Sequence, residues 1–126
     1  MSDEDDVRRL ALELPEAKQH PEGFSFNVRD KAFAWSFMER IAPKKPRVRR
    51  PDILAVRVSG KAEKQSLIDA DPAVYFTDDH YRGYPAVLVR LPEIEVDELR
   101  ELLTDGWRTQ APRALVRIFD ADRGVG

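Results

Sequence analysis

At 126 residues, with 42% hydrophobic and 35% charged side chains and a net charge of −2, the chain is expected to form one globular domain. That length is large enough to bury a core without covalent staples. The absence of cysteine excludes disulfides, thiolate metal sites and cysteine nucleophiles, and fits a cytoplasmic location. No apolar run approaches the ~20 residues that span a bilayer, and the acidic opening Asp3-Glu4-Asp5-Asp6 is the reverse of a signal peptide's basic start. With so little net charge, any attraction for nucleic acid has to come from a local patch.

Residues 3–14 read as a helix, because Val7, Leu10, Ala11 and Leu14 fall at the spacing of one helical face. Ser2 or Asp3 can cap it and Pro15 helps to end it. Residues 16–23 are polar, carry Pro21 and Gly23, and read as a loop. Phe24, Phe26 and Val28 then alternate with polar neighbours, which predicts a strand. A tight turn at Asp30-Lys31 returns the chain along 32–37.

Residues 39–51 break the pattern. Arg40, Lys44, Lys45, Arg47, Arg49 and Arg50 are interleaved with Pro43, Pro46 and Pro51, so the segment is expected to be an exposed, partly extended basic loop. A third strand follows at 53–58, then a short helix at 61–70 and one more helical turn opened by Asp71-Pro72. Tyr75-Phe76 flanks or starts a strand, and Pro85 to Leu91 reads as a buried central one. Glu95 and Glu98 have the spacing of a capping box for the strongest amphipathic helix, about 96–110, with Val96, Leu99, Leu102, Leu103, Gly106 and Trp107 on one face. A glycine at 106 costs roughly 1 kcal/mol against alanine and suggests close approach to another backbone. After Ala111-Pro112 comes a last short helix, 113–119, with 120–126 as a frayed tail. Helices at both ends of a strand meander give an α+β plan: two layers, a mainly antiparallel sheet with helices on one face.

Reactive constellations are sparse. The two histidines, His20 and His80, sit in no nucleophile signature, and Asp78, Asp79 and His80 are too close in sequence to converge on one metal ion. No catalytic, cofactor or metal residue is assigned, and Asp78-Asp79 is expected to initiate a turn. Two features stand out instead. One is the basic loop, whose six cations would give a log–log salt slope of about −5 if all met phosphates. The alternative is a solvated loop paired with acidic residues. The other is the run Tyr75 to Tyr84, where His80, Tyr81 and Arg82 can stack on bases or fill an interface, while Tyr75 and Phe76 finish the core.

Three stretches resemble the MmcQ/YjbR family: Phe24 through Ala34; Asp71 through Phe76 with His80-Tyr81-Arg82-Gly83-Tyr84; and Leu99 through Leu103 with Gly106-Trp107 and Ala111-Pro112. The resemblance covers roughly residues 5–118 and implies an α+β "double wing" fold described as DNA-binding, with no reaction or cofactor attached. By resemblance, the site falls on Lys31, on His80, Tyr81, Gly83 and Tyr84, and on Trp107, Arg108, Ala111, Pro112 and Arg113, with Lys31, Arg82, Arg108 and Arg113 as backbone-facing charges. The proline-basic loop departs from the family, which also more often has alanine at position 106, a change expected to matter little. The first expectation is therefore a small non-enzymatic protein contacting double-stranded DNA through Lys31, Lys44, Lys45, Arg47, Arg49, Arg50, His80, Tyr81, Arg82, Arg108 and Arg113. The second is a protein- or peptide-binding adaptor using the aromatic loop and the Trp107 helix face. The third is an enzyme built on His80 with Asp78-Asp79.

Overall fold

The computed structural model describes residues 1–122. Helix α1 (Glu4–Leu12) starts at Asp3, whose side chain accepts from the Asp6 amide while Asp6 returns the favour to the Asp3 amide, a reciprocal cap. Ser2 is therefore not the cap. It is buried, and its hydroxyl donates to the Ile94 carbonyl at 2.8 Å.

The predicted loop at 16–23 contains a short strand, β1 (Ala17–Gln19), at the sheet edge beside β2 (Ser25–Val28). The hairpin to β3 (Lys31–Glu39) turns one residue earlier than expected, at Arg29-Asp30, with φ of 48° and 68°. Both residues lie in the left-handed region that a twist-matched two-residue turn requires. The Glu16 carboxylate accepts two bonds from Arg29, at 2.6 and 2.9 Å, and holds the turn against β1.

β3 and β4 (Val48–Arg57) both extend into the expected basic loop, which shrinks to 40–47. Arg49 and Arg50 are strand residues. Pro51 is accommodated because the register jumps there, from Leu54 opposite Ser36 to Arg50 opposite Phe37. Residues 51–53 form a bulge on the β3 side, where a missing amide donor breaks no ladder bond.

Helix α2 (Lys61–Ala70), β5 (Tyr75–Phe76) and β6 (Ala86–Arg90) follow. The six strands run antiparallel to their neighbours in the order β1-β2-β3-β4-β6-β5. Helices α3 (Val96–Gln110) and α4 (Arg113–Asp122) complete the described residues. The Glu95 side chain makes no cap bond, so the expected capping box does not form; Glu98 instead accepts from the Tyr75 hydroxyl. α4 runs past Phe119, so 120–122 are helical rather than frayed, and 123–126 lie outside the described residues.

The fold is α+β, with α1, α3 and α4 against one face of an antiparallel sheet. A second bulge makes Phe33 the extra residue opposite Phe26 and Asn27, so Phe33 and Ala34 both enter the helix-side core. α3 contributes Leu99, Leu103 and Trp107, all fully buried, each worth roughly 1.5–3 kcal/mol of transfer free energy. Gly106 lies against the strands: a Cβ there would approach the Arg57 carbonyl and Val56 to 3.0 Å and the Phe33 carbonyl to 3.3 Å. Alanine at 106 would therefore push on two strand backbones, a larger disturbance than the resemblance implies. Among the described residues no helix is long and apolar enough to cross a membrane.

Candidate nucleic-acid interface

Among the described residues no helix packs on the core of the other face of the sheet. Trp35, Phe37, Ile53, Ala55, Leu88 and Phe76 alternate onto it from β3, β4, β6 and β5. The loop 77–85 folds over part of it. Tyr81 is the plug, 8% exposed and packed on Phe37 with ring centroids 6.2 Å apart. Its hydroxyl accepts from Trp35 Nε1 at 2.9 Å, and burial holds the phenol above its ordinary pKa. Tyr81 thus belongs to the small core of this face, and is not the free stacking ring expected from sequence.

Two devices hold the loop. The Asp78 carboxylate accepts from the Tyr81 amide at 2.9 Å, which closes the expected turn. From α2, the buried Lys64 reaches across, and its Nζ donates to the carbonyls of Tyr81 at 2.5 Å and Tyr84 at 3.0 Å. Desolvation lowers the Lys64 pKa, partly offset by Asp78. Replacing Lys64 with methionine removes one donor from each of two carbonyls that keep only their backbone partners, the Tyr84 and Ala86 amides, and should cost about 1 kcal/mol. Amide hydrogen exchange should then accelerate in 77–85 while α3 keeps its protection.

Tyr75 faces the helix side and is buried; burial and the Glu98 carboxylate push its phenol well above 10.0. Above about pH 10 the unfolded tyrosine loses its proton while the folded one keeps it, so stability falls as pH rises from there. Tyr75→Phe should remove that part of the alkaline loss, read from urea midpoints at pH 9 and 11.

The predicted site residues divide sharply. Lys44 and Lys45 are exposed in the shortened basic loop and make no ion pair among the described residues. Arg47 donates to the Met38 carbonyl at 3.1 Å, next to Phe37, whose ring packs on Tyr81. Lys31 is exposed at the start of β3. Arg49 and Arg50 are already occupied. Arg49 crosses to the helix side and pairs with Glu4 and the Ser36 hydroxyl. Arg50 forks between Glu39 and Asp52, each at 3.0 Å. Arg108 pairs with Asp120 at 2.6 Å beside the Phe119 ring, and Arg113 is exposed at the start of α4. His80 is exposed, edge-on to Tyr81 at 5.1 Å, and Arg82 pairs with Asp79 at 2.5 Å. The Asp78 carboxylate accepts from the Tyr81 amide and the Asp79 carboxylate pairs with the Arg82 guanidinium, so each already has a partner within the loop. Among the described residues no three His, Cys, Asp or Glu side chains are placed to share a metal ion.

Sequence reasoning named Lys31 and Tyr84 by resemblance and missed Ser25, Trp35, Arg57 and Gln110 beside them. Trp35, Arg57 and Tyr84, with Ser25, Lys31 and Gln110, line an open groove of about 630 Å³. The Arg57 guanidinium lies 5.4 Å from the Tyr84 ring centroid and Nη1 donates to the Tyr84 hydroxyl at 3.2 Å. Trp35 meets Tyr84 edge-to-face, centroids 6.3 Å apart at 80°. The readable signal was Arg57, a lone cation ending the otherwise apolar run from Ile53 to Val58. Trp107 lies on the opposite side, 0% exposed, its Nε1 donating to the Pro15 carbonyl at 3.0 Å, so the expected Trp107 contact face does not exist.

A helix-backed antiparallel sheet with a basic, ring-bearing open face defines a small α+β module. The chain belongs to the YjbR family, whose model matches residues 12–109. It is 44% identical to Uncharacterized protein Rv2570 of Mycobacterium tuberculosis and to Uncharacterized protein Mb2600 of Mycobacterium bovis, over 95% of this chain and 97% of each relative. The crystal structure of Deinococcus radiodurans protein DR2400, of the DUF419 family model, superposes with a TM-score of 0.58 at 22% identity. It covers 85% of this chain and 77% of its own, and shares the fold.

Proposed function

We propose that this protein is a non-enzymatic DNA-binding protein that docks on the phosphate backbone with the helix-free side of its sheet. One observation carries the reading: the basic loop adjoins the aromatic loop. Arg47 donates to the Met38 carbonyl, the adjacent Phe37 packs on Tyr81, and Phe37 pairs with Arg50 on the strand that leaves the basic loop. Lys44, Lys45 and Arg47 belong to the loop that joins β3 to β4 at one end of the sheet, while Lys31 and Arg57 lie at the other ends of those two strands. Phosphate positioning needs charge along a track and no reactive pocket.

Duplex DNA is the ligand to titrate. With three to five cations engaged, the log–log salt slope should be about −3 to −4.5, a loss of roughly 50- to 500-fold in affinity from 50 to 200 mM salt. Absent binding at 50 mM salt, or binding that ignores salt, counts against the proposal. The adaptor reading keeps one favourable observation. Met38, Ile41 and Val48 are exposed around the β3–β4 tip, at 42, 67 and 44%. Binding insensitive to salt but lost in Ile41→Ser would favour it.

A further inference from the structure

The groove between Lys31, Trp35, Arg57 and Tyr84 has a chemistry that duplex DNA does not use. We infer that it takes an unstacked base of single-stranded nucleic acid, with the adjoining phosphates on Lys31 and Arg57. The inference rests on the nucleic-acid reading above and names the form of the ligand.

The charges come first. Lys31 and Arg57 line the groove and none of its lining residues is acidic, so the groove suits an anion. The rings come second. Tyr84 is 43% exposed, and Arg57 spans its face and its hydroxyl, so the aromatic surface is already bracketed by a cation. Trp35 is held at fixed orientation because its only polar hydrogen is committed to Tyr81. The indole therefore offers contact without hydrogen-bond selectivity, the property of a sequence-tolerant stacking platform. The phosphate and the base have to arrive together, and in a duplex the base faces are covered by neighbouring base pairs. A strand with unpaired bases presents a free π-face beside each phosphate. The groove volume of about 630 Å³ falls within the range of clefts that hold small ligands.

Tryptophan fluorescence reads this directly, because Trp107 is sealed in the core and Trp35 sits on the groove. The probes are a twelve-nucleotide oligothymidylate and a blunt duplex with the same number of phosphates, both at 50 mM salt. The single strand should quench the emission and bind at least tenfold tighter than the duplex. Tyr84→Ala should weaken single-strand binding by roughly 5- to 100-fold, the range for loss of one base–aromatic stack, while Tyr84→Phe retains it. Duplex binding at equal or greater strength, or single-strand binding indifferent to Tyr84→Ala, overturns the inference. If salt-dependent duplex binding is found with no response to the oligothymidylate, this inference falls and the DNA-binding reading stands. If neither probe binds, both fall.

Discussion

Trp107→Ala should lower the unfolding free energy by about 3–5 kcal/mol, the range for truncating a fully buried tryptophan. The indole is 0% exposed, packs on Phe119 with centroids 4.9 Å apart, and its Nε1 donates to the Pro15 carbonyl, fastening α3 to the segment that leaves α1. Its neighbour in sequence, Gly106, rests on two strand carbonyls, so the helix cannot settle further inward to fill the void. A cavity that cannot collapse gives the upper part of that range. Trp107→Phe separates packing from the polar bond: it keeps most of the volume and leaves the Pro15 carbonyl unpaired, for about 1–2 kcal/mol. Urea unfolding followed by circular dichroism checks both, with the m-value unchanged if only stability has moved. The folded fraction of either variant should bind nucleic acid as the parent does. A selective loss of binding in folded Trp107→Phe would show that this side of α3 is part of the interface.

What could be read from the sequence was what local pattern determines. The alternation of Phe24, Phe26 and Val28, and the helical spacing of Leu99, Leu103 and Trp107, encode the faces those residues bury. The two-layer plan follows from them. Strand β1 was not visible, because Ala17–Gln19 has three residues and becomes a strand only by pairing with β2. The groove was hidden for a related reason. Its side chains come from β2, β3, β4, the 77–85 loop and the end of α3, and their faces depend on two bulges. A shift of one residue in register sends every side chain to the other face, and neither Phe33 nor the 51–53 segment advertises itself as a bulge. The basic run was misjudged in a different way. Prolines suggested that all six cations lie in a loop, but the partner of Arg49 is Glu4, on α1 and 45 positions away in sequence. Charge pairing at that separation leaves no local trace.

That division among the cations yields the largest expected effect on binding. Lys44, Lys45 and Arg47 changed together to glutamine should reduce the magnitude of the salt slope by about 2.7, at 0.9 per phosphate contact. At 0.1 M salt the same relation gives a loss of two to three orders of magnitude in affinity for duplex DNA. The melting temperature should hold, because Lys44 and Lys45 are exposed and Arg47 is tied only to the Met38 carbonyl. Arg50→Gln should behave in the opposite manner. It leaves Glu39 and Asp52 facing each other without the cation that holds both, so thermal stability falls while the salt slope stays within one contact of the parent. Arg49→Gln should likewise loosen α1 from the sheet through the loss of Glu4. Six cations close in sequence thus separate into two kinds: those already neutralised by their own fold, which set stability, and those without an acidic partner among the described residues, which set affinity. Matching slopes for the triple variant and for Arg50→Gln would contradict that separation, and with it the placement of the interface around the basic loop.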